Sequence, residues 1–83
     1  MSKKRRRQVV ESLTENIESL IVWQKRPNTA VRVTTHFEKV RYTELGFTKV
    51  NYPDKWDEAY GIGLAVRKAI ADISRQIVNG VNA

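Results

Sequence analysis

Cysteine is absent from all 83 residues, which removes disulfide bridges, thiolate metal sites and a cysteine nucleophile together. Histidine occurs once, so general-base chemistry would rest on His36 alone. Long apolar runs are missing as well. The longest, Leu20-Ile21-Val22-Trp23, falls far short of the roughly 20 residues that span a bilayer. A secretory signal needs its basic start to be followed by a continuous apolar stretch, but here Gln8, Glu11, Ser12, Glu15, Asn16 and Glu18 interrupt it. These absences predict a cytoplasmic protein of a reducing compartment, with no membrane span, no metal and no cofactor. The length predicts one small domain, because a chain this short hides only about 60–65% of its unfolded surface.

What is present in excess is positive charge. Fifteen Lys and Arg face nine Asp and Glu, for a formal charge of +6 and a pI near 10.0. Lys3, Lys4, Arg5, Arg6 and Arg7 stand together at the start, and without them the remaining chain is almost neutral. No apolar side chain other than Met1 accompanies them, so residues 1–7 read as a flexible basic arm, 8–80 as a single domain and 81–83 as a tail.

Periodicity orders the domain. Val9 or Val10, Leu13, Ile17, Leu20 or Ile21, and Gln24 recur at helical steps, which predicts a first helix from Gln8 to the Pro27-Asn28 stop. Ser12-x-x-Glu15 has the form of a capping box within it. Val31, Val33, Thr35 and Phe37 alternate with Arg32, Thr34 and His36 as a half-buried strand does. Glu38-Lys39 is the expected turn, and Val40-Arg41-Tyr42-Thr43 resumes the alternation. Leu45 and Phe47 then fall on odd positions, whereas Val40 and Tyr42 are even. A parity shift beside Gly46 predicts a bulge or a second tight turn before strand resumes over 47–52 and stops at Pro53.

Asp54 is a suitable N-cap for a last helix that starts near Lys55 or Trp56, runs to Asn79 and ends at Gly80. Its expected buried stripe is Trp56, Ala59, Ile62, Val66, Ala69 or Ile70, Ile73 and Ile77, with Trp56 and Tyr60 as core aromatics. Gly61 and Gly63 inside this helix predict close approach of another backbone. The fold class is therefore α+β, in the order α-β-β(-β)-α, with two helices on one face of a small antiparallel sheet.

The strand pair, Gly46-Phe47-Thr48-Lys49, the Tyr52-Pro53-Asp54-Lys55-Trp56-Asp57-Glu58 turn and the 61–69 helix segment resemble a group of small bacterial and phage proteins of unassigned function. That group has a fold like that of double-stranded-RNA-binding domains. The resemblance covers somewhat more than half the chain and implies the fold. It does not carry over the RNA grip, because the last helix starts with acid at Asp54, Asp57 and Glu58, which repels phosphate. In its short, basic, cysteine-free character the chain is similar to the early proteins with which lytic phages redirect host transcription or replication.

No catalytic constellation emerges. His36 has only Glu38 as an orienting carboxylate, Asp54-x-x-Asp57-Glu58 is explained as an acidic helix start, and Gly61-Ile62-Gly63 lacks the third glycine of a phosphate loop. The expected function is non-enzymatic binding. Lys3, Lys4, Arg5, Arg6 and Arg7 would contact DNA or RNA phosphates without sequence preference, extended over the sheet by Arg32, Lys39, Arg41 and Lys49. Trp23, Lys25 and Arg26 are the candidate contacts to a protein of the transcription machinery such as RNA polymerase, which the protein would inhibit or modulate. The alternative is a pure protein-interaction module or homodimer that uses a sheet edge and Trp23, with the arm serving solubility alone.

Overall fold

The computed structural model describes residues 3–49 and 58–79. Its elements follow the order α1 (Lys3–Glu15), β1 (Ser19–Lys25), β2 (Asn28–Phe37), β3 (Val40–Lys49) and α2 (Glu58–Val78). The protein has the α-β-β-β-α arrangement, with both helices packed on one face of an antiparallel sheet.

The first helix is displaced towards the N-terminus of the range that periodicity predicts. Residues 3–7 are its opening turns rather than an irregular arm, since Lys and Arg are good helix formers and a helix anchored by Val9 and Leu13 propagates back through them. It ends at Glu15, well before Pro27. The Asn16 N–H donates to the carbonyls of Ser12 at 3.1 Å and Leu13 at 3.2 Å, and its side-chain Nδ2 donates to the Ser12 carbonyl at 2.8 Å. Asn16 thus closes the C-terminus, and Ser12 belongs to the helix end rather than to a capping box at its start.

The segment after it, Ser-Leu-Ile-Val-Trp-Gln-Lys, is rich in β-branched and aromatic side chains and forms β1. Four consecutive apolar residues satisfy any period, which is why helical spacing extends falsely through Leu20 and Ile21. Pro27 does not stop a helix. With Arg26 it makes the two-residue turn between β1 and β2, and the Arg26-Pro27 peptide is cis.

The sheet is a meander in the order β1-β2-β3. Glu38 and Lys39 form the β2–β3 turn with positive φ of 50° and 72°, the handedness that a two-residue hairpin needs. Pairing of β2 with β3 runs unbroken from Phe37↔Val40 to Asn28↔Lys49. No bulge interrupts it at Gly46, so the parity shift in the sequence is not a change of register. Tyr42, Glu44, Gly46 and Thr48 turn to the helices throughout, while Leu45 and Phe47 lie on the opposite, open face.

Gly46 has a different reason to be glycine. A Cβ there would overlap the carbonyl oxygen of Ala65 and stand 2.9 Å from its carbonyl carbon and 3.2 Å from the Ala69 nitrogen. The backbone of α2 rests directly on β3. The buried line of α2 is accordingly made of small residues, Gly61, Ala65 and Ala69, followed by Ile70, Ile73, Ser74 and Val78. Of the stripe expected from spacing, Ala59 is exposed, and Ile62, Val66 and Ile77 are only half-buried beside the contact. Tyr60 is exposed rather than a core aromatic. Gly63 meets nothing within 4 Å, so close approach does not explain it. The expected strand continuation over 50–52, Pro53, the Asp54 cap, Trp56 and Gly80 lie outside the described residues.

Around that contact Val9 and Leu13 of α1, Val31 and Val33 of β2 and the α2 residues close the core. The Thr35 hydroxyl donates to the Leu13 carbonyl at 2.7 Å and ties α1 to the sheet. α2 covers β2 and β3, and α1 packs on α2 and β2; neither helix covers β1 to any extent. Leu20 and Val22, which pair with the buried Val33 and Val31, therefore remain 43% and 36% exposed on the helix side of the sheet. Among the described residues, no helix is long and apolar enough to cross a membrane.

The two glycines should respond in opposite ways. Gly46→Ala is expected to lower stability by about 1–3 kcal/mol through overpacking, and Gly63→Ala to raise it by about 1 kcal/mol through helix propensity. Urea unfolding of the two variants checks both signs.

Candidate nucleic-acid interface

Register alone fixes what the open face displays. Residues paired across a sheet share a face, so β1, β2 and β3 present successive rows. The first row is Lys25, Asn28 and Lys49; the second is Trp23, Ala30 and Phe47; the third is Ile21, Arg32 and Leu45. A fourth row carries Ser19, Thr34 and Thr43, with the two threonine hydroxyls 3.1 Å apart, and a last pair is His36 and Arg41. Neither described helix lies on this side. Four cations and two large aromatics thus occupy one surface of a body whose total charge is nearly balanced.

One carboxylate is held against these cations. Glu18 accepts a hydrogen bond from His36 Nδ1 at 2.8 Å and forms an ion pair with Arg41 Nε at 3.2 Å. Its location just before β1 brings it to the His36 end of the face, so the histidine's carboxylate partner is Glu18 rather than Glu38. The same carboxylate also serves Arg41, which makes this a surface ion-pair cluster. Among the described residues no group of three or more His, Asp or Glu side chains is placed to hold a metal ion.

The residues singled out from the sequence fall into two places. Lys4, Arg5, Arg6 and Arg7 are exposed on α1, and Lys3 opens that helix. Arg5 and Arg6 continue the helical stripe of the buried Val9 and Leu13 yet are exposed, so the first turns of α1 stand beyond the edge of the packed core. Trp23, Lys25, Arg32 and Arg41 come together on the open face, although helical spacing predicts Trp23 at the end of a helix. Arg26 and Lys39 sit in the turns at the two ends of β2 and are exposed.

Phe47 and Leu45, 61% and 44% exposed, are site residues that sequence reasoning misses. Their signal is the parity shift, which looks like a register break as long as apolar residues are equated with buried ones. Lys68 is missed too. From α2 it lines, with Trp23, Ala30, Phe47, Lys25 and Lys49, a cleft of about 460 Å³.

No protein-family model matches the chain, and no curated protein or solved structure does.

Glu18→Gln is expected to change stability by less than about 1 kcal/mol, since exposed ion pairs contribute little. It should also raise affinity for polyanions by freeing Arg41. Paired unfolding and heparin-retention measurements on the variant check both outcomes.

Proposed function

We propose that the protein is a non-enzymatic nucleic-acid-binding protein in which the opening turns of α1 and the cations of the open sheet face contact phosphates. The observation that carries this reading is the position of the basic run. The N-terminus of a helix is already its positive end, where acidic residues stabilise and cations destabilise by about 0.3–1 kcal/mol each. α1 has no acid in its first turn, and its first five residues are all cationic. A sequence that sets repelling charges against a helix dipole violates a local rule of stability, and such violations concentrate at functional positions. A bound polyanion removes the conflict.

The exposed Arg32 and Arg41 support the same reading for the folded body. Docking on RNA polymerase rests on a body with no polyanion-attracting face of its own. The basic sheet face instead favours direct contact with nucleic acid, with a transcription complex of the kind phage early proteins address as one setting. The α-β-β-β-α order supports the likeness to double-stranded-RNA-binding domains in fold. A second reading, pairing of two copies or of a partner strand along β1, is favoured by the bare Leu20 and Val22 on that edge strand.

Replacing Lys4, Arg5, Arg6 and Arg7 with glutamine keeps helix propensity and removes the charge. The slope of log affinity against log salt for a DNA duplex should then fall in magnitude by about 2–4, at close to 0.9 for each phosphate no longer neutralised. An unchanged slope and affinity would show that α1 does not touch the duplex. For the second reading, sedimentation equilibrium should find a dimer that Val22→Lys dissociates; a monomeric parent at high micromolar concentration removes self-pairing along β1.

A further inference from the structure

Phosphate binding does not account for the aromatics of the open face. Trp23 and Phe47, 52% and 61% exposed, flank Ala30 in one row, each directly opposite it across the sheet. With strands about 4.8 Å apart their backbones are about 10 Å apart, close to three base-stacking intervals of about 3.4 Å. The alanine methyl leaves the space between the rings open. Trp23, Ala30 and Phe47 line part of a cleft of about 460 Å³, a size typical of ligand sites. Its lining adds Lys25, Asn28 and Lys49 of the same face and, from the helix side around the end of the sheet, Thr29, Thr48 and Lys68, with no carboxylate among the described residues.

Two exposed rings beside two ammonium groups of the same face match a ligand with flat π-faces and regular negative charge. An acidic peptide would meet the lysines but would have no use for a pair of rings set about a bare methyl group. A duplex would meet the lysines too, but its base faces are stacked inside it and closed to Trp23 and Phe47. Unpaired bases offer those faces. Arg32 and Arg41 continue a cationic line along the face away from the cleft.

We propose that the trough between Trp23 and Phe47 is a base-stacking site for single-stranded nucleic acid, with Lys25 and Lys49 at the phosphates. This deepens the nucleic-acid reading above and rests on it, but it uses residues separate from α1 and fails separately.

The test is fluorescence anisotropy of the full chain with labelled oligo(dT), oligo(U) and a matched duplex of about 12–16 nucleotides, a length within the range of single small binding folds. The two single strands distinguish DNA from RNA as the source of the shared chemistry. The parent should prefer one or both single strands over the duplex. Trp23→Ala and Phe47→Ala should each weaken single-strand binding about tenfold or more, Trp23→Phe should retain most of it, and duplex binding should change little. The α1 glutamine variant should instead lower the salt slope for single strands and duplex alike.

Equal binding of single strands and duplex by the parent overturns the proposal. So does single-strand affinity within about twofold of the parent in both alanine variants, with circular dichroism showing them folded. Loss of a parent dimer in Trp23→Ala with nucleic-acid affinity unchanged also overturns it, and assigns the face to association between copies. A parent that binds none of the three probes overturns this proposal and the nucleic-acid reading together. Failure of the alanine variants alone leaves phosphate binding by α1 standing.

Discussion

The contact on which the rest of the molecule depends is that of α2 with β3 at Gly46. Because a Cβ at that position would collide with the Ala65 carbonyl, the helix lies at a distance that only glycine and alanine permit. That proximity decides where the helices sit. α2 takes the space over β2 and β3, and α1 fills the remaining groove against α2 and β2. Among the described residues nothing is left to cover β1. The exposure of Leu20 and Val22 follows from where the two described helices sit. Both described helices lie on one side of the sheet, and the other side presents the side chains of β1, β2 and β3 in rows.

Charge is distributed to match. From Gln8 onward the chain is nearly neutral, but register sorts its residues by face. Lys25, Lys49, Arg32 and Arg41 share the open face, where Glu18 is the carboxylate that pairs with them among the described residues. Acids such as Glu44 turn to the other side, where Glu44 accepts a hydrogen bond from Gln76 at 3.1 Å. Asp72 likewise pairs with Arg75 along α2. Net charge is a property of the whole chain, whereas attraction of a polyanion depends on the local field of one surface. A neutral sum conceals a basic face.

The class of the fold is legible in the sequence because it follows from the strongest periodic segments. Val31, Val33 and Thr35 alternate clearly, and all three are buried. The Glu38-Lys39 turn is legible as well, even without glycine, because the alternation pauses there and resumes. The extent of the first helix is not. Leu20-Ile21-Val22-Trp23 carries no period of its own, and the stop signal is a single asparagine whose role depends on hydrogen bonds back to Ser12. The buried stripe of α2 is obscured for a related reason. Bulky residues normally mark a core face, but the Gly46 contact demands small ones, and that demand originates in another element.

The candidate site is half legible. Its sheet-face cations and Trp23 can be named from the sequence, unlike Lys68 of α2, but not their convergence, which needs β1 to be a strand in register with β2. Phe47 and Leu45 are the residues that break the expected pattern. In a sheet covered on one side, an apolar residue on the wrong parity has two explanations: the register has shifted, or the residue lies on the uncovered face. The pairing excludes the first. The second has a cost, since a large side chain left in water forgoes about 1.5–3 kcal/mol of burial, and a patch of several invites association. The surrounding lysines and arginines limit that association by charge, and under the proposed reading the same groups would attract the phosphates of a stacked strand. Exposed rings and clustered cations would each be a liability alone. On one face each offsets the drawback of the other, and this pairing gives the open side of the sheet a physical reason to exist in the form it has.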